Sequence, residues 1–60
     1  MKSEKRSRGW FVTDIQGDIL DIYIWCQKLY GPCGLRWEHY SGSFLFQQEA
    51  DMTMFMLRWA

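Results

Sequence analysis

The sequence predicts a small α+β domain in which an antiparallel sheet is backed by two helices, in the order β-α-β-β-α. Two observations lead to this prediction. Apolar residues recur at helical spacing between residues 15 and 29, and two short alternating runs lie on either side of Ser41 and Gly42. A chain of 60 residues is long enough for one domain only, and we assign residues 9–60 to it.

The first predicted strand is the run GWFV at residues 9–12, because aromatic and β-branched side chains favour extended backbone. A helix is expected to follow at once. Thr13 and Gln16 have the spacing of a capping box, in which the hydroxyl and the amide each satisfy the other residue's backbone N–H group. We therefore expect the first helix to begin at Thr13.

The core face of this helix is indicated by apolar residues at alternating steps of four and three. They are Ile15, Ile19, Ile22, Cys26 and Leu29. The helix should end at Gly31, because glycine tolerates a positive φ and Pro32 cannot continue the hydrogen-bond ladder. Gly17 weakens the helix, so a hairpin that turns at residues 16–18 is the alternative.

The runs LRWEHY and SFLFQ each alternate between apolar and polar side chains, and only residues 41–42 separate them. This pattern predicts a tight antiparallel hairpin. Trp37, Phe44 and Phe46 should face the core. The residues expected on the outer face are Arg36, Glu38, Tyr40, Leu45 and Gln47.

The last segment, MTMFML, follows the carboxylates of Glu49 and Asp51, which are favoured near a helix N-terminus. We predict a second helix here. Ala50, Met54 and Leu57 would share one of its faces, and the residues beside that face are Met52, Phe55 and Trp59. Thr53, Phe55, Leu57 and Trp59 also lie at every second position, as the residues on one face of a strand do, so a terminal strand is the alternative.

The formal net charge is zero, but positive charge is concentrated in residues 1–8. The basic residues there are Lys2, Lys5, Arg6 and Arg8. Because no apolar residue follows Met1 in this segment, we expect a mobile basic arm. Such an arm could contact phosphate or an acidic partner, and a solubilising tail is the plainer interpretation.

The hydropathy pattern contains no apolar run of the about 18 residues that a bilayer requires, and no signal-peptide core follows the arm. We expect a soluble, cytoplasmic protein in which Cys26 and Cys33 remain reduced thiols. With His39 these cysteines are candidate metal ligands, but their spacing differs from that of zinc sites and a fourth ligand is missing. We therefore predict no metal and no cofactor.

The chain carries no recognisable combination of nucleophile, base and oxyanion donors, so we predict that it is not an enzyme. Cys26 is expected to act as a small buried hydrophobe. His39 is expected to be a structural histidine with satisfied hydrogen bonds.

Trp25 is the residue that suggests a binding function. On the helical wheel it falls among Asp21, Lys28 and other charged residues, so it should be exposed, and an exposed tryptophan ringed by charge is typical of an interface anchor. The alternative is that the C-terminal segment folds over it. The predicted protein-binding residues are Trp25, Asp21, Lys28, Arg36 and Tyr40.

Nucleic-acid binding is the second hypothesis, with Lys2, Lys5, Arg6 and Arg8 acting together with the outer sheet face. A protein partner is favoured because residues 9–60 are net negative. We also expect a symmetric homodimer, since so short a domain gains stability by burying apolar surface that it cannot cover alone.

The segments GPCGLRW and FLFQQEADMTMFMLRW resemble small accessory proteins of large tailed bacteriophages. The features that carry the resemblance are a glycine-proline turn, an aromatic strand pair and an acidic turn before F-x-L-R-W. The resemblance implies an accessory or host-takeover protein that binds a host or phage macromolecule in the host cytoplasm, and inhibits or redirects it. It assigns no functional residue.

Overall fold

A computed structural model describes residues 1–59 as a four-stranded antiparallel sheet and two helices. The elements in chain order are β1 (Lys2–Arg6), β2 (Gly9–Thr13), α1 (Ile19–Tyr30), β3 (Trp37–Tyr40), β4 (Ser43–Phe46) and α2 (Glu49–Trp59). The strands lie in the order β1-β2-β4-β3. The predicted α+β class is confirmed, and β1 is a strand that the sequence analysis did not include.

Residues 2–6 form the edge strand β1, where the sequence analysis expected part of a mobile basic arm at residues 1–8. The strand pairs with β2 along its whole length, beginning with Lys2 opposite Thr13. All its side chains are exposed, and Lys5 lies 5.3 Å from the centroid of the Trp10 ring. The prediction counted only apolar contacts, whereas β1 is held by backbone hydrogen bonds to β2 and by cations above aromatic rings.

Helix α1 begins later than predicted, because Asp18 rather than Thr13 caps it. The Asp18 carboxylate accepts a hydrogen bond of 2.9 Å from the N–H of Leu20. Thr13 instead ends β2, and the connection passes through Gly17 at a φ of 110°, which glycine adopts with little strain. The alternative hairpin at residues 16–18 is wrong, since β2 pairs with β1 and β4.

Helix α1 directs Ile22, Cys26 and Tyr30 into the core. The predicted core stripe is therefore correct for Ile22 and Cys26. It is wrong for Leu29, which is 50% exposed, because the neighbouring Tyr30 takes the inward position. The helix ends at Gly31 as predicted, with a φ of 90° at that residue.

Strands β3 and β4 form the predicted hairpin around residues 41–42. Trp37, Phe44 and Phe46 are fully buried, as predicted. The Trp37 indole N–H donates a hydrogen bond of 2.8 Å to the carbonyl oxygen of Gly31, so the buried ring has its polar group satisfied. This bond also joins the end of α1 to the start of the hairpin.

The C-terminal segment is the predicted helix, but the helix presents a different face to the core. Met52 and Phe55 are buried, whereas Met54 and Leu57 are 52% and 79% exposed. Helical spacing alone grouped Ala50, Met54 and Leu57 as a possible apolar face. In the structure these three residues face solvent.

An ion pair at the start of α2 lies on the inward side of the helix. Arg36 binds both carboxylate oxygens of Asp51, with N to O distances of 2.8 to 3.2 Å, and Asp51 is buried. The hydroxyl of Tyr30 donates a hydrogen bond of 3.1 Å to the carbonyl oxygen of Asp51. Because a buried carboxylate is costly without such partners, this cluster allows Asp51 to lie on the inward side of α2 together with Met52 and Phe55.

Trp25 does not lie on an exposed face, so that prediction was wrong. Its ring contacts those of Tyr30, Phe55 and Trp59 edge-on, at centroid distances of 5.7, 6.2 and 5.9 Å. The alternative, in which the C-terminal segment folds over Trp25, is confirmed. The physical reason is that α2 places two of its aromatic rings against the flank of α1 that carries Trp25.

Trp25→Ala should therefore lower the free energy of unfolding by about 2 kcal/mol or more, because the truncation leaves a cavity among three aromatic rings. Urea unfolding followed by circular dichroism measures this change. The matched control is Leu35→Ala, at a residue that is 64% exposed, and it should change the free energy by less than about 0.5 kcal/mol. Equal effects of the two substitutions would contradict the packing role of Trp25.

Candidate functional site

A groove lies on the sheet face that points away from the helices. The helices pack against Val12, Phe44 and Phe46, so the alternate residues of each strand point to the opposite side. The groove has a volume of about 460 Å³, within the range of ligand pockets. Its lining residues are Arg6, Ser7, Arg8, Phe11, Tyr40 and Leu45. We call it the open-face groove.

The floor of the open-face groove is apolar. Phe11 of β2 lies opposite Leu45 of β4 in the strand ladder, and the ring of Tyr40 lies 6.2 Å from that of Phe11. Leu45 is only 4% exposed, although it lies on the side away from the helices. These three side chains thus form a second, smaller apolar cluster on the open face.

Arg8 forms one wall of the groove, where Glu38 joins it to Tyr40 of the floor. A guanidinium nitrogen of Arg8 donates to both carboxylate oxygens of Glu38, at 2.8 and 3.1 Å, and the hydroxyl of Tyr40 donates to the same carboxylate. The negative charge of Glu38 raises the pKa of Arg8, and the hydrogen bond to Glu38 raises the pKa of Tyr40. Arg8 remains a cation and Tyr40 a neutral phenol over the physiological range.

Arg6 forms the other wall, with its guanidinium group over the Phe11 ring of the floor. Its guanidinium carbon is 4.8 Å from the centroid of the Phe11 ring, and its Nε donates to the Glu4 carboxylate at 3.2 Å. Stacking of this kind holds a planar cation in a defined place on an exposed surface. Each arginine of the groove therefore has one carboxylate partner and still carries free N–H donors.

The arrangement can hold an apolar or aromatic side chain while hydrogen-bonding the groups beside it. The floor of Phe11, Leu45 and Tyr40 offers contact area, and the guanidinium groups of Arg6 and Arg8 offer donors at the rim. Because both arginines are already paired, the rim favours carbonyl oxygens or single carboxylates over a dense row of negative charges.

The predicted protein-binding residues do not meet at one place. Tyr40 lies in the groove, as expected for the outer sheet face. Asp21 and Lys28 are exposed on α1, Arg36 is engaged with Asp51 outside the strands, and Trp25 is packed against α2. Of the two predicted surfaces, the outer sheet face therefore contributes Tyr40 to the groove, whereas the helix surface centred on an exposed Trp25 is not formed.

The predicted basic residues are divided between the two faces of the sheet. Arg6 and Arg8 line the groove. Lys5 lies over the Trp10 ring, on the side of the sheet that faces the helices, and Lys2 lies 3.8 Å from a carboxylate oxygen of Asp14. Strand alternation in β1 thus separates Lys5 from the groove that Arg6 and Arg8 line.

Phe11 was not among the predicted site residues, and Leu45 was predicted to lie on the outer face without a role in binding. Alternation in the run GWFV already separates Phe11 from Trp10 and Val12, so a signal was present. Which side of β2 is covered could not be inferred without its pairing to β4. The importance of Leu45 follows from neighbours that arrive from distant parts of the chain.

The cysteines and the histidine do not combine into a metal site. Among residues 1–59 no group of three or more metal-binding side chains lies together. Cys26 is buried as predicted, and Cys33 is exposed. His39 packs against Tyr23 and Phe44 at centroid distances of 5.7 and 4.9 Å, but its buried Nε2 has no hydrogen-bond partner among the described residues, contrary to the expectation of a satisfied histidine.

No family model, curated protein or solved structure matches this chain. Within residues 1–59, neither helix has both the length and the apolar character that crossing a bilayer requires.

The two thiols should react very differently. Burial raises the pKa of Cys26 to about 12, so its thiolate is scarce at pH 8, whereas Cys33 is exposed. Iodoacetamide at pH 8 should alkylate the folded protein once, at Cys33, and alkylate both thiols in urea, as counted by mass spectrometry. Cys33→Ser should abolish the reaction of the folded protein. Rapid alkylation of Cys26 without denaturant would contradict its burial.

Stability should decline at alkaline pH. Burial raises the pKa of Cys26 from 9.0 to about 12 and that of Tyr30 from 10.0 to about 12, so the folded state keeps protons that the unfolded chain releases. The contribution is complete below about pH 9 and is lost as the pH rises toward 12. The urea midpoint should fall between pH 8 and 11, less steeply in Cys26→Ala. A midpoint that stays constant would refute this linkage.

Proposed function

We propose that this chain is a small binding module that acts stoichiometrically on a partner protein through the open-face groove. The observation that carries the proposal is the apolar floor of Phe11, Leu45 and Tyr40, bordered by the side chains of Arg6 and Arg8. Tyrosine, phenylalanine and arginine are the residue types enriched at the centres of protein interfaces. The groove brings them together on an exposed face of a small domain.

The charge distribution favours a protein over a nucleic acid. Glu4 and Glu38 neutralise the two arginines of the groove, whereas a phosphate backbone needs cations that are free to replace its counterions. Lys5, which could have added to a basic surface, lies on the other side of the sheet. Residues 9–60 contain three basic and six acidic residues, so the domain offers no basic field around the groove.

Binding of single-stranded nucleic acid is the second candidate, because one observation favours it. Phe11 and Tyr40 present rings on neighbouring parts of an uncovered sheet face, with Arg6 stacked above one of them. Bases stack on platforms of this kind. Titration with single-stranded DNA distinguishes the two classes of partner.

The resemblance to small accessory proteins of large tailed bacteriophages is what suggests the identity of the partner. It favours a host protein in the bacterial cytoplasm as the partner. The module would inhibit or redirect this protein by occupying one of its surfaces. A groove that holds a single side chain suits stoichiometric binding of this sort, because one inserted anchor residue can supply much of the binding energy.

Immobilised wild-type protein should capture a specific protein from a bacterial lysate, and Tyr40→Ala and Arg8→Ala should lose it. Calorimetry with the purified partner should show binding weakened by about 2 kcal/mol for Tyr40→Ala, the usual cost of truncating an interface anchor. Leu35→Ala and Arg58→Ala are matched exposed controls outside the groove, and they should bind as the wild type does. Equal losses in the controls would refute the groove as the site.

A 12-nucleotide single-stranded DNA, titrated at 50 and 200 mM salt, provides the contrasting measurement. For a protein-binding module we expect no saturable binding of this probe. If the DNA binds and its affinity falls at least about tenfold over that salt range, with losses in Arg6→Ala and Arg8→Ala, the nucleic-acid hypothesis is correct and the protein hypothesis is wrong.

A further inference from the structure

Helix α1 carries a second surface, on its solvent side and apart from the groove. Its residues are Leu20, Asp21, Ile24 and Lys28, which span an arc of about 100° at helical periodicity. Leu20 is 64% and Ile24 is 41% exposed, and both charged residues are exposed. We call this patch the α1 outer face. It lies opposite the core residues of the same helix, so no part of its own sheet covers it.

The charges of the α1 outer face have no partner within the described part of the chain. Neither Asp21 nor Lys28 is among the ion pairs formed by residues 1–59. They stand seven residues apart, about 10.5 Å along the helix axis at 1.5 Å per residue, which is too far for them to pair with each other. The patch therefore displays two exposed apolar side chains beside one acid and one base.

We propose that the α1 outer face binds a second copy of this chain, with the two α1 helices antiparallel about a twofold axis. Asp21 of each copy would then lie beside Lys28 of the other. The twofold rotation reverses the direction of the helix but keeps each residue on the same flank of the contact, and Asp21 and Lys28 share a flank. Ile24 of both copies would be covered between the two ion pairs, and Leu20 of each copy would be covered on the other flank of the contact. The contact is isologous, as in most homodimers.

The charge pattern favours a second copy over an unrelated protein. A twofold rotation places Asp21 of one copy against Lys28 of the other, so the surface is complementary to itself. The formal net charge of zero means that two copies do not repel each other at long range. Because one helix pair buries less than the about 1,200 Å² of a standard interface, we expect a dissociation constant in the micromolar range or weaker.

This dimer is compatible with the proposed groove and adds to its function. The helices and the groove lie on opposite sides of the sheet, so the two grooves would face outward from the dimer. A dimer of this kind presents two identical sites to a partner. Binding to an oligomeric or repetitive partner would then be strengthened by effective concentration.

Sedimentation velocity between about 10 µM and 1 mM should show a reversible monomer-dimer equilibrium of the wild type. Asp21→Lys and Lys28→Asp should each weaken dimerisation at least about tenfold, since like charges would meet at both ends of the contact. The double variant that exchanges the two residues should recover dimerisation to within about threefold. Circular dichroism of each variant establishes that the fold is intact.

A mixture of the two single variants gives the sharpest result. One chain then carries two lysines and the other two aspartates on the α1 outer face, so an equimolar mixture should form a heterodimer although neither variant dimerises alone. Leu57→Glu, at a residue that is 79% exposed on α2, is the control and should leave dimerisation unchanged.

Three outcomes would overturn the proposal. The first is a wild type that stays monomeric over the whole concentration range. The second is a dimer that persists unchanged in Asp21→Lys and Lys28→Asp, and the third is a dimer that the control Leu57→Glu dissociates, since each of these would place the contact elsewhere. None of these measurements uses the groove, so the proposed binding function can fail or succeed independently.

Discussion

The packing of aromatic rings around Phe55 is the interaction on which the rest of the structure depends. This side chain of α2 is fully buried, and its ring centroid lies 5.3 Å from that of Phe44, 5.0 Å from that of Phe46 and 6.2 Å from that of Trp25. It thus joins the sheet and both helices at one point. A 60-residue chain has few interior positions, and large rings bury the most apolar area at each of them.

So short a chain leaves one face of the sheet without a covering layer, and the open-face groove lies on that face. Both helices are used on the inner face, so Leu45 on the other side is shielded only by neighbours such as Phe11 and Tyr40. Paired charges border this small cluster: Arg8 reaches across β4 to Glu38 on β3. The same side chains that protect the exposed sheet face also make it a surface that can bind.

The sequence predicted which helices and strands form better than it predicted which side of each helix faces the core. The helix stop at Gly31 and the buried side of the hairpin follow from local turn chemistry and strand alternation, and both are confirmed. The inward face of α2 is fixed by the packing of Phe55 against the sheet and carries the ion pair between Asp51 and Arg36, and periodicity contains neither of these long-range contacts. The covering of Trp25 by α2 likewise depends on how two helices pack, which is why its exposure was predicted wrongly.

The electrostatics of the groove constrain how a partner can be recognised. Because Glu4 and Glu38 balance Arg6 and Arg8, the surface has little net charge to attract a partner from a distance, and association should be driven by apolar contact at the floor. The arginines then act at short range, by donating hydrogen bonds from N–H groups that their carboxylates leave free. A partner that offers a carboxylate must compete with Glu4 or Glu38, whereas one that offers a carbonyl oxygen need not. The groove is accordingly better suited to an apolar side chain flanked by backbone carbonyl groups than to a strongly acidic segment.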